Sequence, residues 1–245
     1  MITLACDTSG KTCSAALLDG ERILAERVEP GTAAYSTTFL PMVIDLLSDC
    51  GMGFAEVGRY ACTLGPGSFT GIRIGIATVQ GMAYASDRPA IGVPTLEALA
   101  WPLLGRADTV VCPVLDARNG RVYAQAWLGG PRFIEAFPPA AMQMDAFLAA
   151  LSDLAGTRRF VFCGDAAETA AAAAAGLLGP GVVEPPAHTV LRAGWVGQAA
   201  LAALAADPER DRSPANLQPV YLGRSQAERS RGIDASGWSA PGRNR

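Results

Sequence analysis

The stretch ACDTSGKT, residues 5–12, gathers Asp7, Thr8, Ser9, Lys11 and Thr12 around one turn. A carboxylate, three hydroxyls and an ammonium so close together suit phosphate chemistry. The spacing nearly matches a P-loop, which asks for glycine, four residues, then Gly-Lys-Ser/Thr. Ala5 stands where the first glycine belongs. A P-loop must also open a helix, so that the helix's first amides face the phosphate. Here the following run, Thr12 to Leu18, has strand character, with turn residues on both sides. The P-loop reading is therefore set aside.

Other chemistry-bearing groups are sparse. Gly65-Pro66-Gly67-Ser68 precedes an apolar helix and could present amides to an anion. The plainer reading, which is favoured, is a rigid turn that lets the helix pack closely on a sheet. Pro66 occupies the first glycine position of a G-x-S-x-G nucleophile elbow, so Ser68 is not of that type. His188 is the single histidine, and no Ser/His/Asp or Cys/His set can be built around it. The six cysteines show no C-x-x-C spacing and most lie in apolar runs. They read as small buried hydrophobes in a reducing cytoplasm rather than as disulfides or a zinc site.

The elements that must hold these residues follow from pattern. Strands are expected at 2–6, 12–18 and 22–28, joined by turns at Asp7–Lys11 and Asp19-Gly20. A helix follows at 36–50, with Pro41 early in it, where it removes few hydrogen bonds. Then come a strand at 59–64, a helix opened by Ser68 or Thr70 as N-cap, a strand at 90–93, and a helix at 95–104 weakened by Pro102. Hairpins make the first three strands antiparallel, and helical crossovers make the later ones parallel. That is a ribonuclease-H-like mixed sheet. A second unit begins near Ala107, with strands at 109–115, 121–128, 133–137 and 159–163. Its helices are expected at 142–154, from Gly164-Asp165 to about 178, and at 191–206. The expected organisation is a first lobe over 1–106, a reduced second lobe over 107–223, and a disordered tail over 224–245, rich in Arg, Ser and Gly.

Composition limits the function classes. The chain has 245 residues, 50% hydrophobic and 18% charged, with a formal net charge of -3. The sign argues against a broad electrostatic grip on nucleic acid. MITLACD lacks the basic start of a secretory signal, and no apolar run is long enough to span a bilayer without interruption, so a cytoplasmic location and no membrane partner are expected.

The helix after Gly67 is unusual in carrying one charge, Arg73, between Leu64 and Ser86. Small residues recur in it four apart on two rows, Gly71 and Gly75, then Ala77, Gly81 and Ala85. Glycine inside a helix costs about 0.5–1 kcal/mol relative to alanine, so close approach of another backbone is expected. Two readings stay open at this point: a central core helix, or a helix with one face against another chain.

The residues IxxDTS at the start, GPGSFTGIRIG at 65–75, VLDARNGRVYAQAW at 114–127 and PVYL at 219–222 resemble the TsaB (YeaZ) family. The resemblance spans about residues 1–223. It implies two lobes of the actin-like/sugar-kinase ATPase superfamily, and a non-catalytic scaffold that binds and activates its paralogue TsaD. That machinery places threonylcarbamoyl on adenosine 37 of tRNAs reading ANN codons. TsaE is implied as a further partner, a homodimer as the state in isolation, and contact with tRNA only through the complex. In TsaD a metal-binding HxxxH follows the corresponding strand. The matching positions here are Thr95 and Leu99, and leucine cannot ligate a metal. No cofactor is implied for this chain alone, and the interface shared with TsaD is the place left for a nucleotide. The family pairs through its first two helices, packed as a four-helix bundle. This points to Leu40, Val43, Leu47, Gly71, Ile72, Gly75, Ile76 and Val79 as partner-binding residues. Tyr35 departs from the histidine common before the first helix's serine. The rival reading is a nucleotide hydrolase of the actin-like type, using Asp7 and its hairpin. It wants a second glycine-rich phosphate loop, for which only Cys163-Gly164-Asp165 is available. A peptidase would need a nucleophile, base or zinc that the sequence does not supply.

Overall fold

The structure is a computed structural model and describes residues 1–30, 35–130, 133–154, 158–178, 183–184, 186–210 and 212–223. The tail expected at 224–245 lies outside the described residues. Strands β1 (Ile2–Asp7), β2 (Thr12–Asp19), β3 (Arg22–Pro30), β4 (Val57–Gly65) and β5 (Ala90–Pro94) form a sheet ordered β3-β2-β1-β4-β5. β1, β2 and β3 pair antiparallel, while β4 and β5 run parallel to β1. That is the mixed topology expected from hairpins followed by helical crossovers.

Helices α1 (Tyr35–Asp49) and α2 (Phe69–Ser86) cover one face of this sheet. Phe39, Met42, Val43, Leu46 and Leu47 recur at three- and four-residue spacing and put one stripe of α1 into the core. Ile72, Ile76, Val79 and Met82 do the same for α2. Ser68 caps α2, its hydroxyl accepting from the Gly71 amide at 3.2 Å.

A second sheet, ordered β8-β7-β6-β9, is built from β6 (Thr109–Asp116), β7 (Arg121–Leu128), β8 (Ile134–Gln143) and β9 (Arg159–Cys163). β8 runs six residues past the expected end at 137, and helix α4 (Met144–Ser152) starts two residues later than expected. The extension carries two prolines, Pro138 and Pro139. They lie at a bulge opposite Gln125, where the ladder shifts register and no proline N–H is needed. α4 and α5 (Ala167–Leu178) cover the outer face of this sheet. Helix α3 (Thr95–Ala100) is shorter than expected, and the chain goes on from it as a 3-10 turn through Pro102.

α3 and α6 (Ala193–Ala206) sit in a core shared by both sheets, with Ala5, Leu18 and Ile91 from one and Val111, Val161 and Cys163 from the other. α6 packs on the first sheet although it follows the second in sequence. Gly197 allows this, because a Cβ there would collide with the side chain of Leu18. Glu26 on β3 fixes the start of α6, accepting from the Gly194 amide at 2.7 Å and from Arg192 Nε at 2.6 Å. Residues 212–223 likewise return to the first sheet, where the Val220 amide donates to the Leu64 carbonyl at 2.7 Å. The segment from 107 to 223 thus serves both lobes. Among the described residues no helix is long and apolar enough to cross a membrane.

Candidate functional site: the paired helices and the interlobe cleft

The turn after β1 is held from inside. Asp7 is buried, and its Oδ1 accepts from the Ser9 amide at 3.0 Å, the Ser9 hydroxyl at 2.6 Å and the Thr63 hydroxyl at 2.6 Å. Burial pushes the Asp7 carboxyl above its ordinary value, while the bonds from Ser9 and Thr63 pull the other way. Its second oxygen has no partner among the described residues. The Gly65–Ser68 loop then closes over the turn. The Ser68 amide donates to the Ser9 carbonyl at 2.7 Å, and a Cβ on Gly67 would strike that same carbonyl. The favoured reading of this loop as a packing turn agrees with these contacts.

A cleft of about 310 Å³ opens between the lobes. It is lined by the turn Ser9–Thr12, Thr95, Leu115, Asp165, Glu168 and residues 189–191. The volume is near the lower end, about 300 Å³, of small-ligand sites. Lys11 Nζ bridges the cleft to Asp165 Oδ2 at 3.3 Å. Asp7 is not among the lining residues, and its Oδ1 holds the turn. Asp165 and Glu168 put two carboxylates where the hydrolase reading needs a second phosphate loop. Lys11 is paired with Asp165, which leaves Glu168 as the surplus charge lining the cleft. Thr95 and Leu99 are both buried, and among the described residues no group of three His, Cys, Asp or Glu could hold a metal.

His188 Nε2 lies 2.9 Å from the Leu99 carbonyl, and its ring centroid is 4.3 Å from that of Trp195. Desolvation lowers its pKa, partly countered by that hydrogen bond. It ties its loop to α3. Five of the cysteines are buried, all six are free, and burial pushes Cys62 up to about 12. Neither residue type forms a nucleophilic centre.

The outer face of α1 and α2 is different in character. Leu40 is 40%, Ile44 48% and Tyr84 59% exposed, and Ala77 and Gly81 are exposed as well. On α2, Ala77, Gly81 and Tyr84 project opposite the buried stripe. A Cβ on Gly81 would meet nothing within 4 Å. Within the chain, therefore, Gly81 weakens its helix without relieving any crowding.

Of the eight residues expected to bind a partner, only Leu40 is exposed. Val43, Leu47, Ile72, Ile76 and Val79 are core residues of this chain. Gly71 and Gly75 are also turned inward, and a Cβ on either would collide with Thr8. Their close approach is internal: it seats α2 on the β1–β2 turn. In the single chain these seven positions lie on the inner, supporting side of the helix pair. The second small row, Ala77 and Gly81, faces outward instead. Ile44 was legible as a surplus apolar residue, four after Leu40 and outside the stripe formed by Phe39, Met42, Val43, Leu46 and Leu47.

Comparison with known proteins converges on one family. The sequence profile of TsaD, tRNA N6-adenosine threonylcarbamoyltransferase, matches residues 23–230. The chain is 38% identical over 124 residues to the tRNA threonylcarbamoyladenosine biosynthesis protein TsaB of Bacillus subtilis, covering 50% of this chain and 53% of that protein. It spans about half the length of the curated relatives it matches. The structure of YeaZ from Pseudomonas aeruginosa is similar over 90% of this chain and 99% of that one, with a TM-score of 0.66 and 28% identity. The ethanolamine utilization protein EutJ from Carboxydothermus hydrogenoformans shares the fold alone, at a TM-score of 0.50 and 9% identity over 82% of this chain and 89% of that one. The architecture these structures share with the chain is α/β, with mixed sheets flanked by helices.

Proposed function

Since the chain belongs to the TsaD-type family, in its TsaB/YeaZ branch, we propose that it is a scaffold subunit that binds and activates TsaD for threonylcarbamoylation of adenosine 37 in tRNAs reading ANN codons. The observation that carries this reading is the outer face of α1 and α2. Leu40 and Ile44 on α1 and Tyr84 on α2 expose apolar surface, and the exposed small residues Ala77 and Gly81 leave room on α2 for close contact. Such a face suits a second helix pair packed against it. The same face serves self-association when TsaD is absent. TsaE joins through the pair, and tRNA is contacted through the assembly, in the cytoplasm. The chemistry belongs to TsaD, because Thr95 and Leu99 occupy the two histidine positions and Asp7 is buried, with one carboxylate oxygen holding its own turn. This chain binds no cofactor by itself, and a nucleotide would lodge at the shared interface.

Light scattering on the chain alone and mixed with TsaD from the same organism tests the reading. A homodimer that converts to a heterodimer is expected, with TsaD modifying tRNA only in the mixture. Gly81→Arg should abolish both associations. A monomer indifferent to TsaD, or a Gly81→Arg chain that still co-elutes, would overturn it.

A further inference from the structure

At one edge of the proposed docking face, Arg73 is held in a fixed pose. Its guanidinium carbon lies 3.9 Å from the centroid of the Phe69 ring and 5.8 Å from that of Tyr221. Its Nε donates to the Tyr221 hydroxyl at 2.8 Å, and the two aromatic rings stack at 5.0 Å. Tyr221 belongs to the 212–223 strap. That strap is tied to α2 a second time by Gln80, whose Nε2 donates to the Pro214 carbonyl at 2.8 Å. Yet no carboxylate lies within 4.0 Å of Arg73 among the described residues, and the residue is exposed. A guanidinium normally gains most from a planar, bidentate acceptor. Here the aromatic clamp orders the side chain and occupies Nε, leaving the two Nη groups for such an acceptor.

Arg73 also lies on the outward side of α2, three positions after Thr70 and four before Ala77, both exposed. It is the only charge on α2. A lone ordered cation bordering an apolar, small-residue face is suited to fix register and orientation there. We propose that Arg73, clamped by Phe69 and Tyr221, is the polar anchor of the docking face and receives an Asp or Glu carboxylate of the partner subunit. The inference rests on the docking reading above and adds to it the chemistry that the partner must present. Its place on the same exposed side of α2 as Ala77 and Gly81 favours a protein carboxylate over a nucleic-acid phosphate.

The test measures the dissociation constant for TsaD from the same organism, with wild type, Arg73→Ala, Arg73→Lys, Tyr221→Phe and Gly81→Arg side by side. Arg73→Ala is expected to weaken binding by about tenfold or more, and to flatten its dependence on salt between about 50 and 500 mM. Arg73→Lys keeps the charge but loses the planar fork, and should recover little of the loss. Tyr221→Phe should show a smaller loss, with thermal melting unchanged. If Gly81→Arg abolishes binding while Arg73→Ala leaves it unchanged, the anchor is wrong and the docking face stands. If Arg73→Lys binds like wild type, simple charge is sufficient and the bidentate anchor is overturned. If Gly81→Arg and Arg73→Ala both bind like wild type, the docking reading and the anchor fail together. Binding of Arg73→Ala that is normal for TsaD but weakened for tRNA in the assembled complex would assign the residue to phosphate and overturn the carboxylate.

Discussion

The Thr8 hydroxyl donates to the Gly71 carbonyl at 2.7 Å, and a Cβ on Gly71 would collide with the Thr8 carbonyl oxygen. This contact locks the start of α2 onto the turn that ends β1. Replacing Gly71 with alanine must therefore move backbone against backbone. A loss of about 1–3 kcal/mol is expected, the usual cost of overpacking a filled site. Thr8→Val removes only the hydroxyl and should cost about 1 kcal/mol. Urea unfolding of both variants checks the order. A Gly71→Ala chain as stable as wild type would mean that the turn yields freely, contrary to the packing described.

Gly81 predicts the opposite sign on the same helix. A Cβ there meets nothing, so Gly81→Ala should raise the stability of the isolated chain by about 0.5–1 kcal/mol through helix propensity alone. The same methyl would intrude on a closely packed partner and weaken association. Thermal melting at low concentration, paired with sedimentation across a dilution series, separates the two effects. Stabilisation without any loss of association would show that the outer face is not in tight contact.

The strand order and the helix pair were legible because hairpin turns and apolar periodicity are local signals. The two small-residue rows were legible as well, but not which row faced the sheet. That depends on Thr8, sixty-three positions from Gly71, and no local pattern reports the approach. Strand β8 extends past 137 through Pro138-Pro139, which a bulge opposite Gln125 accommodates and no local pattern reports. The return of α6 to the first sheet was hidden for the same reason. An alanine-rich helix, apolar nearly all round, carries little information about which surface it meets. Arg73 stood out as a lone charge, but its clamp needs Tyr221, at the far end of the chain.

Asp7 should behave as a structural carboxyl. Asp7→Ala leaves the Ser9 and Thr63 donors buried without their acceptor, and should cost several kcal/mol, at about 1–3 kcal/mol for each unsatisfied group. Asp7→Asn keeps an acceptor oxygen and removes the buried charge, so its stability at pH 7 should be within about 1 kcal/mol of wild type. The pH dependence has a definite sign. Burial raises the folded-state pKa of Asp7, so the native state binds the proton more tightly than the unfolded state. The stabilising contribution of this group is complete below the unfolded value of about 3.9 and is lost as pH rises through the folded value. The difference in stability between wild type and Asp7→Asn should therefore shift toward wild type as pH falls below neutrality. A pH-independent difference in denaturant midpoints would contradict the raised pKa.

His188 gives the complementary test, made clean because the chain has no other histidine. Its ring is partly buried against Trp195 and bonded to the Leu99 carbonyl, and desolvation is the larger influence, so its folded pKa lies below the ordinary value of about 6.5. Protonation then favours the unfolded chain. The contribution is present in full above pH 6.5 and declines as pH falls through the folded value, with a slope of at most about 1.4 kcal/mol per pH unit. A single imidazole proton followed by NMR should titrate below 6.5. His188→Gln should remove that share of the acid-side slope while keeping a side-chain donor for the Leu99 carbonyl. The Gly164 amide donates to the His188 carbonyl at 2.8 Å, and Thr189 and Leu191 line the cleft. Loss of the imidazole anchor should therefore speed amide exchange at Gly164 and in residues 189–191 before it affects the α1–α2 face. A titration midpoint at or above 6.5, or an unchanged slope in His188→Gln, would show that the ring is solvated and that the loop is held by its backbone alone.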